Sequence, residues 1–326
     1  MSEKFVVIAT DKMSLSGLVA LTEDDRFEIL VPDGEEEMRE ALGRAHGLIV
    51  RSATKVTREL LEQAPNLRVV GRAGVGVDNI DLGVATEFGI PVINAPEGNT
   101  VSAAELAMAL ILTVARNVSW ADASVQGGAW ARSQFSGIEI RGKTLGLVGL
   151  GDIGLEVSRR ARAFDMSVLY HKRLALSAEF EQMAGVRHAA LAELMGESDV
   201  VSLHVPHTDA TEGMIDAAAL ALMKSDAILI NTARGGLVDE TALAEALRGG
   251  RIAGAGLDAF VEEPLPVGHP LTDCPNVLLS PHVGGGTGGG QRGMIRSIVE
   301  NLQRVARGDP AVGLVTMSTP EGRFET

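Results

Sequence analysis

Two series of short apolar runs, each separated from the next by a stretch of helical periodicity, constrain this chain more than any other feature. The first series comprises residues 5–8, 27–31, 48–50, 69–71 and 91–94, with helical stretches such as 58–63 between them. The second comprises residues 144–150, 167–170, 200–205, 227–231, 254–260 and 277–280. A strand without polar alternation is covered on both faces, and strands that alternate with helices are joined by crossovers. Both series therefore predict parallel sheets flanked by helices, an α/β fold. A single hydrophobic core stops growing at roughly 250 to 300 residues, so a chain of 326 residues is expected to form two domains. The expected division is 1–98 for the first part of one domain, 99–283 for an inserted second domain, and 284–326 for a return to the first. The turn-rich segment 94–100 reads as a hinge leading into an apolar helix that begins near Val101. Near the end, Met294, Ile295, Ile298, Val299, Leu302 and Val305 recur at three-to-four spacing and mark the helix that brings the chain back.

Composition narrows the function classes. With 45% hydrophobic and 22% charged residues the chain is that of a soluble globular protein. A formal charge of −14 with no dense Lys/Arg run excludes a nucleic-acid backbone partner but leaves anionic small molecules, which need only a local Arg pocket. The lone Cys274 cannot close an internal disulfide, so the reducing cytoplasm is the expected compartment. No signal-peptide pattern opens the chain, and no apolar run approaches the roughly 20 residues of a membrane span. The most apolar helical stretch, 103–115, is short, carries Glu105, and reads as a core or interface helix rather than a membrane partner.

The turn Gly149-Leu150-Gly151-Asp152-Ile153-Gly154 follows the expected strand 144–148 and precedes the helical stretch 155–164. Bare, this pattern is weak, and it is compatible with a merely tight turn. In a strand-turn-helix setting it is specific: Gly149 permits the turn, Gly151 admits a pyrophosphate against the backbone, and Gly154 lets the helix pack closely. The helix N-terminus then offers amide hydrogens to the anion. A dinucleotide cofactor is the expectation. About 20 residues on, where such folds usually place a carboxylate for the adenosine ribose, the chain has Tyr170-His171-Lys172-Arg173. Without a carboxylate nothing repels a 2′-phosphate, and Lys172 and Arg173 are able to pair with one, so NADP(H) is favoured. The alternative is that both are solvated loop charges and the cofactor is NAD.

Arg234, Glu263 and His282 each follow the end of an expected strand of the second series, where open α/β sheets place their ligands. Singly, each has an ordinary structural reading: a surface ion pair, a loop charge, a packed histidine. Jointly they suit hydride transfer at a carbon bearing oxygen. Histidine exchanges the oxygen's proton near neutral pH, a carboxylate beside it fixes its tautomer and favours its charged form, and arginine offers a planar fork to a substrate carboxylate. This chemistry calls for no metal.

The markers VRSATKVT (50–57), GRAGVGVDNID (71–81), NAPEGNTVSAAELA (94–107), GLGDIG (149–154), NTARGGLVDE (231–240), GLDAFVEEP (256–264) and SPHVGG (280–285) occur in order. By them the chain, from about residue 5 to 314, resembles the D-isomer-specific 2-hydroxyacid dehydrogenase family and most closely its D-3-phosphoglycerate dehydrogenase branch. The resemblance implies that Arg234 is the catalytic arginine, Glu263 the carboxylate supporting the histidine, and His282 the proton donor and acceptor. It assigns Asp258 to the nicotinamide carboxamide. It places Val205, Pro206, Thr232, Ala233 and Gly285 along the cofactor beside the glycine turn. Arg51, Ser52, Arg72, Val75 and Gly76 fall in the substrate loops, Asn99 in the hinge region near the site, and Arg132 is a further candidate anion contact. The implied architecture is a Rossmann-type dinucleotide domain inserted into a flavodoxin-like substrate domain, usually dimeric through the inserted domain with the helix after Val101 in the interface. Three departures stand out. His171 replaces the usual Asp. The loop Gly286-Thr287-Gly288-Gly289-Gly290 replaces a Ser-Thr and Glu-Ala pattern, so His282 is expected to be less rigidly framed. The regulatory extension of many phosphoglycerate dehydrogenases is not expected, nor is feedback by serine.

Three functions remain in view. The leading one is reversible oxidation of a D-2-hydroxy acid, with 3-phosphoglycerate first among substrates. The second is NADPH-dependent reduction of hydroxypyruvate or glyoxylate, which needs no phosphate pocket. The third is a non-catalytic dinucleotide-sensing corepressor, against which the complete Arg234, Glu263 and His282 set argues.

Overall fold

The structure is a computed structural model that describes residues 4–11, 13, 18–95 and 98–315. The chain forms two compact units, Met1–Asn99 with Gly285–Thr326, and Thr100–Gly284. Asn99 thus lies in the first unit and Gly284 in the second. Pro96 and Glu97 of the expected hinge lie outside the described residues.

In the first unit β1 (Phe5–Ala9), β2 (Phe27–Leu30), β3 (Gly47–Val50), β4 (Val69–Arg72) and β5 (Val92–Asn94) form one parallel sheet in the order β2-β1-β3-β4-β5. That is the flavodoxin-like order. Helices α1 (Val19–Thr22), α2 (Glu35–Arg44), α3 (Arg58–Glu62) and α4 (Leu82–Glu87) connect the strands. Period-two alternation sends Ile8, Leu48, Val70 and Val92 to the face covered by Leu42, Leu61 and Val84. Their neighbours Val7, Ile49, Val69 and Ile93 pack on the other face against Met294, Ile295, Ile298, Val299 and Leu302. Both faces being covered is why these runs are apolar along most of their length.

The second unit opens with α5 (Thr100–Arg116) and α6 (Val118–Gln126). It continues through β6 (Thr144–Val148), α7 (Asp152–Ala163), β7 (Ser167–His171), α8 (Ala178–Ala184), β8 (Arg187–His188), α9 (Leu191–Glu197) and β9 (Val200–Leu203). α10 (Ala217–Leu222), β10 (Ile228–Asn231), α11 (Glu240–Arg248), β11 (Gly254–Leu257) and β12 (Val277–Leu279) complete it, and α12 (Gly288–Ala306) belongs to the first unit. The seven strands run β12-β11-β10-β9-β6-β7-β8, the order of a Rossmann sheet with one added strand. α5 and α7 cover one face through Ala107, Ile111 and Val157, and α9, α10 and α11 the other through Leu194, Leu220 and Leu243. The apolar stretch that sequence left as core or interface is therefore the core helix α5, with Ala104, Ala107 and Ile111 fully enclosed. No single helix among the described residues is long and apolar enough to cross a membrane.

Two differences from the expected strands matter. β8 has no counterpart among the apolar runs: it is only Arg187 and His188, paired to Leu169 and Tyr170 and held between buried Val186 and Ala189. A two-residue polar strand carries no periodicity to read. Conversely, the runs 144–150, 200–205 and 254–260 outlast β6, β9 and β11. Their last residues leave the ladder and become the loops of the candidate site. At the opposite edge of this sheet, burial pushes the Asp199 carboxyl up, but the Thr144 amide with Lys224 and Lys143 outweighs it and holds the group below its ordinary value.

Candidate active site

The chain reverses its direction of travel across the sheet next to β6, running to β7 and β8 on one side and to β9 through β12 on the other. Loops that leave the strand ends at such a point diverge and open a crevice. The glycine turn sits there. Gly149 has φ +99°, and a Cβ on it would come within 2.4 Å of the His204 carbonyl oxygen. Gly154 is equally closed, its added Cβ falling 2.6 Å from the Gly149 carbonyl oxygen. Gly151 differs: an added Cβ would meet nothing within 4 Å, so the turn is open at the N-cap of α7. Asp152 and Ile153 form the first turn of α7, where free amides and the helix dipole favour an anion.

Val205 and Pro206 follow β9, and Thr232 and Ala233 follow β10. The Thr232 hydroxyl is buried and has no hydrogen-bond partner among the described residues. An open glycine, a helix N-terminus and an orphaned hydroxyl along one sheet edge fit the pyrophosphate-to-nicotinamide stretch of a dinucleotide. Beneath the turn the His204 amide donates to the Val148 carbonyl at 2.7 Å, and its Nε2 lies 2.9 Å from the Ser202 hydroxyl. The residue keeps part of its surface accessible while its ring lies deep, and burial pushes the imidazole down to about 4.

β7 ends at His171. Its Nδ1 donates to the Ala189 carbonyl at 3.1 Å, and its ring stacks on His188 with centroids 6.2 Å apart. His188 Nε2 in turn donates to the Lys172 carbonyl at 3.1 Å. The unanticipated β8 thus fixes the imidazole that stands where a carboxylate was expected. Lys172 and Arg173 are exposed, with no ion-pair partner among the described residues.

Arg234, Glu263 and His282 follow the neighbouring parallel strands β10, β11 and β12. The Arg234 loop is shaped by Asn231, which is 1% exposed: its amide donates to the Arg234 carbonyl at 2.8 Å and its carbonyl accepts from the Ala233 amide at 3.0 Å. Arg234 Nη1 donates to the Ala233 carbonyl at 2.7 Å. His282 adopts φ +53°, and its Nδ1 meets both Glu263 oxygens, at 2.8 and 3.0 Å. Nδ1 is then the donor, and a neutral ring carries its acceptor at Nε2. Both side chains stay reachable, 41% and 38% exposed.

Asp258, 1% exposed, accepts from the Ser280 hydroxyl and from the Val283 and Gly284 amides at 2.9 and 2.8 Å. This bracing acts on the His282 loop ahead of the glycine run, which instead enters α12 with the Thr287 hydroxyl capping the Gly290 amide at 2.9 Å. The expectation of a loosely framed His282 is corrected accordingly: its frame comes from β11. Sequence reasoning missed the bracing roles of Asn231 and Asp258. A small polar residue inside or directly after an apolar strand was the available signal.

The remaining candidates fall as follows. In the first unit the Arg51 amide donates to Asp11 at 2.6 Å, and Asn79 holds the Arg51 and Thr54 carbonyls at 2.7 and 2.6 Å, with Ser52 exposed on this loop. Arg72 Nη1 donates to the Ala73 carbonyl at 3.1 Å, and the Val75 carbonyl next to Gly76 accepts from Asn94 at 2.6 Å. Asn99 packs against Gly285, and its side-chain oxygen is buried without a partner among the described residues. Arg132, in the second unit, is exposed in a short 3-10 turn.

Residues 108–284 match the sequence model described as D-isomer specific 2-hydroxyacid dehydrogenase, NAD binding domain. The chain is 43% identical over 311 residues to a D-3-phosphoglycerate dehydrogenase of Methanocaldococcus jannaschii, covering 95% of this chain and 59% of that one. The chain spans between 51% and 59% of the length of such curated relatives. The crystal structure of the TT0316 protein from Thermus thermophilus superposes with a TM-score of 0.87 at 39% identity, covering 95% of this chain and 100% of that one. An NADPH-dependent glyoxylate/hydroxypyruvate reductase from Sinorhizobium meliloti superposes with a TM-score of 0.84 at 32% identity, covering 96% and 98%.

Proposed function

This chain belongs to the D-isomer-specific 2-hydroxyacid dehydrogenase family, and from that premise we propose that it interconverts a D-2-hydroxy acid and its 2-oxo acid using a nicotinamide dinucleotide. The observation that carries the reading is the Glu263–His282 pair, with Nδ1 held at 2.8 Å, following the strand next to that of Arg234 in a sheet whose glycine turn is open. When bound, the nicotinamide ring supplies or accepts the hydride. Glu263 holds the imidazole so that Nε2 faces outward, and Nε2 takes the hydroxyl proton in oxidation or returns it to the carbonyl oxygen in reduction. The imidazolium formed on oxidation is stabilised by the adjacent carboxylate. Arg234 pairs with the substrate carboxylate and polarises the carbonyl. The Gly151 turn and the first amides of α7 hold the pyrophosphate, Thr232, with Ala233, Val205 and Pro206, lines the remainder, and Gly285 is a further cofactor contact on the family resemblance alone. The Asp258 carboxylate accepts from three donors where about four sites exist, which leaves room for one hydrogen bond from a carboxamide.

The leading substrate pair is 3-phosphoglycerate and 3-phosphohydroxypyruvate, supported by the named relatives and by Arg51, Ser52, Arg72, Val75, Gly76 and Asn99 in the matching segments. NADP(H) is the favoured coenzyme, because the imidazole of His171 puts no carboxylate charge against a 2′-phosphate, and Lys172 and Arg173 beside it have no ion-pair partner among the described residues. The same observation supports a second reading, reduction of glyoxylate or hydroxypyruvate with NADPH, as named for the Sinorhizobium meliloti reductase. A homodimer through the second unit is part of the proposal.

The deciding experiment is a steady-state panel of NADH and NADPH against phosphohydroxypyruvate, hydroxypyruvate and glyoxylate. Highest kcat/KM on the phosphorylated acid is expected; preference for glyoxylate would select the second reading. His282→Ala should lower kcat by about 10²- to 10⁴-fold, and turnover within a few-fold of wild type would overturn the assignment.

A further inference from the structure

A second histidine–carboxylate pair lies beneath the first. Glu240, the opening residue of α11, is mostly buried, as is His269, with side chains 12% and 14% exposed. Neither belongs to the site described above. Glu240 Oε1 accepts the Val261 amide at 2.9 Å, and its Oε2 accepts from His269 Nε2 at 3.1 Å. The Leu271 amide donates to His269 Nδ1 at 3.4 Å, so Nδ1 is the acceptor and Nε2 the donor of that ring. One carboxylate therefore ties both ends of the segment 261–269, and Glu263 stands inside it.

The tied peptide has a second neighbour. A Cβ on Gly235 would fall 1.9 Å from the Phe260 carbonyl carbon and 2.2 Å from the Val261 nitrogen, so the Phe260–Val261 peptide rests directly on the residue after Arg234. On its other side the Phe260 amide donates to Glu263 Oε1 at 3.0 Å, the oxygen that also meets His282 Nδ1 at 3.0 Å. Movement of this peptide would disturb the Arg234 loop and the Glu263–His282 contact together.

We propose that Glu240 and His269 are positioning residues: by fixing the Val261 amide they set the distance and direction of Glu263 toward His282 and hold the Arg234 loop against it. This rests on the proton-transfer role given to His282. Glu240 touches no reacting atom; its effect passes through the peptide.

The test uses Glu240→Ala, Glu240→Gln and His269→Asn in the full chain, with kcat, substrate KM, coenzyme Kd by fluorescence titration and the pH profile of kcat. Glu240→Ala should lower kcat by about ten- to a hundredfold, as small misplacements of reacting groups do, with coenzyme Kd changed less than about threefold. It should also displace the limb of the pH profile that depends on His282. Glu240→Gln keeps an oxygen for Val261 and should retain most of the turnover. Wild-type kcat and an unmoved limb in folded Glu240→Ala would overturn the proposal. Where that variant does not fold, His269→Asn carries the test: it keeps an acceptor for Leu271 and removes the imidazole donor, and an unmoved limb there is equally fatal. His282→Ala in parallel separates the two ideas. Full activity in His282→Ala removes the proton-transfer reading itself, whereas its loss beside a wild-type-like Glu240→Ala removes only the positioning role.

Discussion

A neutral imidazole whose Nδ1–H points at a carboxylate has one nitrogen left for chemistry. His282 turns its Nδ1 to Glu263, while His204, after β9 of the same sheet, has a serine hydroxyl beside its Nε2 instead. The contrast shows what surroundings do to one residue type. Without a carboxylate, burial alone governs His204, and it is pushed down to about 4 from 6.5. Between those values the unfolded chain binds more protons than the folded one, so stability is fully present above pH 6.5 and is lost as pH falls toward 4. The loss reaches at most about 3.5 kcal/mol, at about 1.4 kcal/mol per pH unit. His204→Gln should flatten the fall of Tm between about pH 6.5 and 4.5; parallel Tm curves for variant and wild type would contradict this. Arg234, Glu263 and His282 were legible because each is an ionisable residue just past an apolar run. Asp258 was not legible in its bracing role, because its partners lie 22 to 26 residues on in the sequence, whereas Asn231 braces residues two and three places ahead of it and was legible in principle as a buried polar strand end.

At the scale of elements, the strands with continuous Val, Leu and Ile were readable, and β8 was not. Its His188 nonetheless stacks on His171 and donates to the Lys172 carbonyl, while Ala189, the residue after the strand, accepts from His171 Nδ1. Lys172→Ala with Arg173→Ala should weaken NADPH binding more than NADH binding, by roughly tenfold or more if two charge-assisted bonds to a 2′-phosphate are lost. Equal losses, measured by titrating both coenzymes, would refute the 2′-phosphate contact and return the preference to NAD. The glycine run after His282 is a further case. Sequence suggests looseness there, but the run enters a capped helix, and the histidine is framed from β11 by Asp258. Loop entropy is a local property; hydrogen bonds from a neighbouring strand override it.

For the whole molecule, oligomeric state follows from which apolar surfaces remain uncovered. α5 gives its Ala107 and Ile111 face to the core of the second unit, whereas α6 has no buried residue and leaves Val118 and Val125 each 53% exposed, with Trp130 beyond it 84% exposed. These side chains are the ones on which the proposed dimer is tested. Val125→Glu with Trp130→Ser should shift the protein from dimer to monomer by light scattering coupled to size exclusion; a wild-type chain that runs as a monomer throughout would discard the dimer. The sequence by itself determined two parallel-sheet units, the glycine turn at the first strand of the second, and the ionisable residues that follow its strands. Those features are periodic or local, written by steric and hydrophobic rules that act over a few residues. Only the tertiary structure decided that Glu263 meets His282 Nδ1, that Asp258 holds the His282 loop, and that Glu240 reaches Val261 across 21 residues. Hydrogen bonds depend on position to within tenths of an ångström, and that is fixed only when the sheet brings distant strand ends side by side.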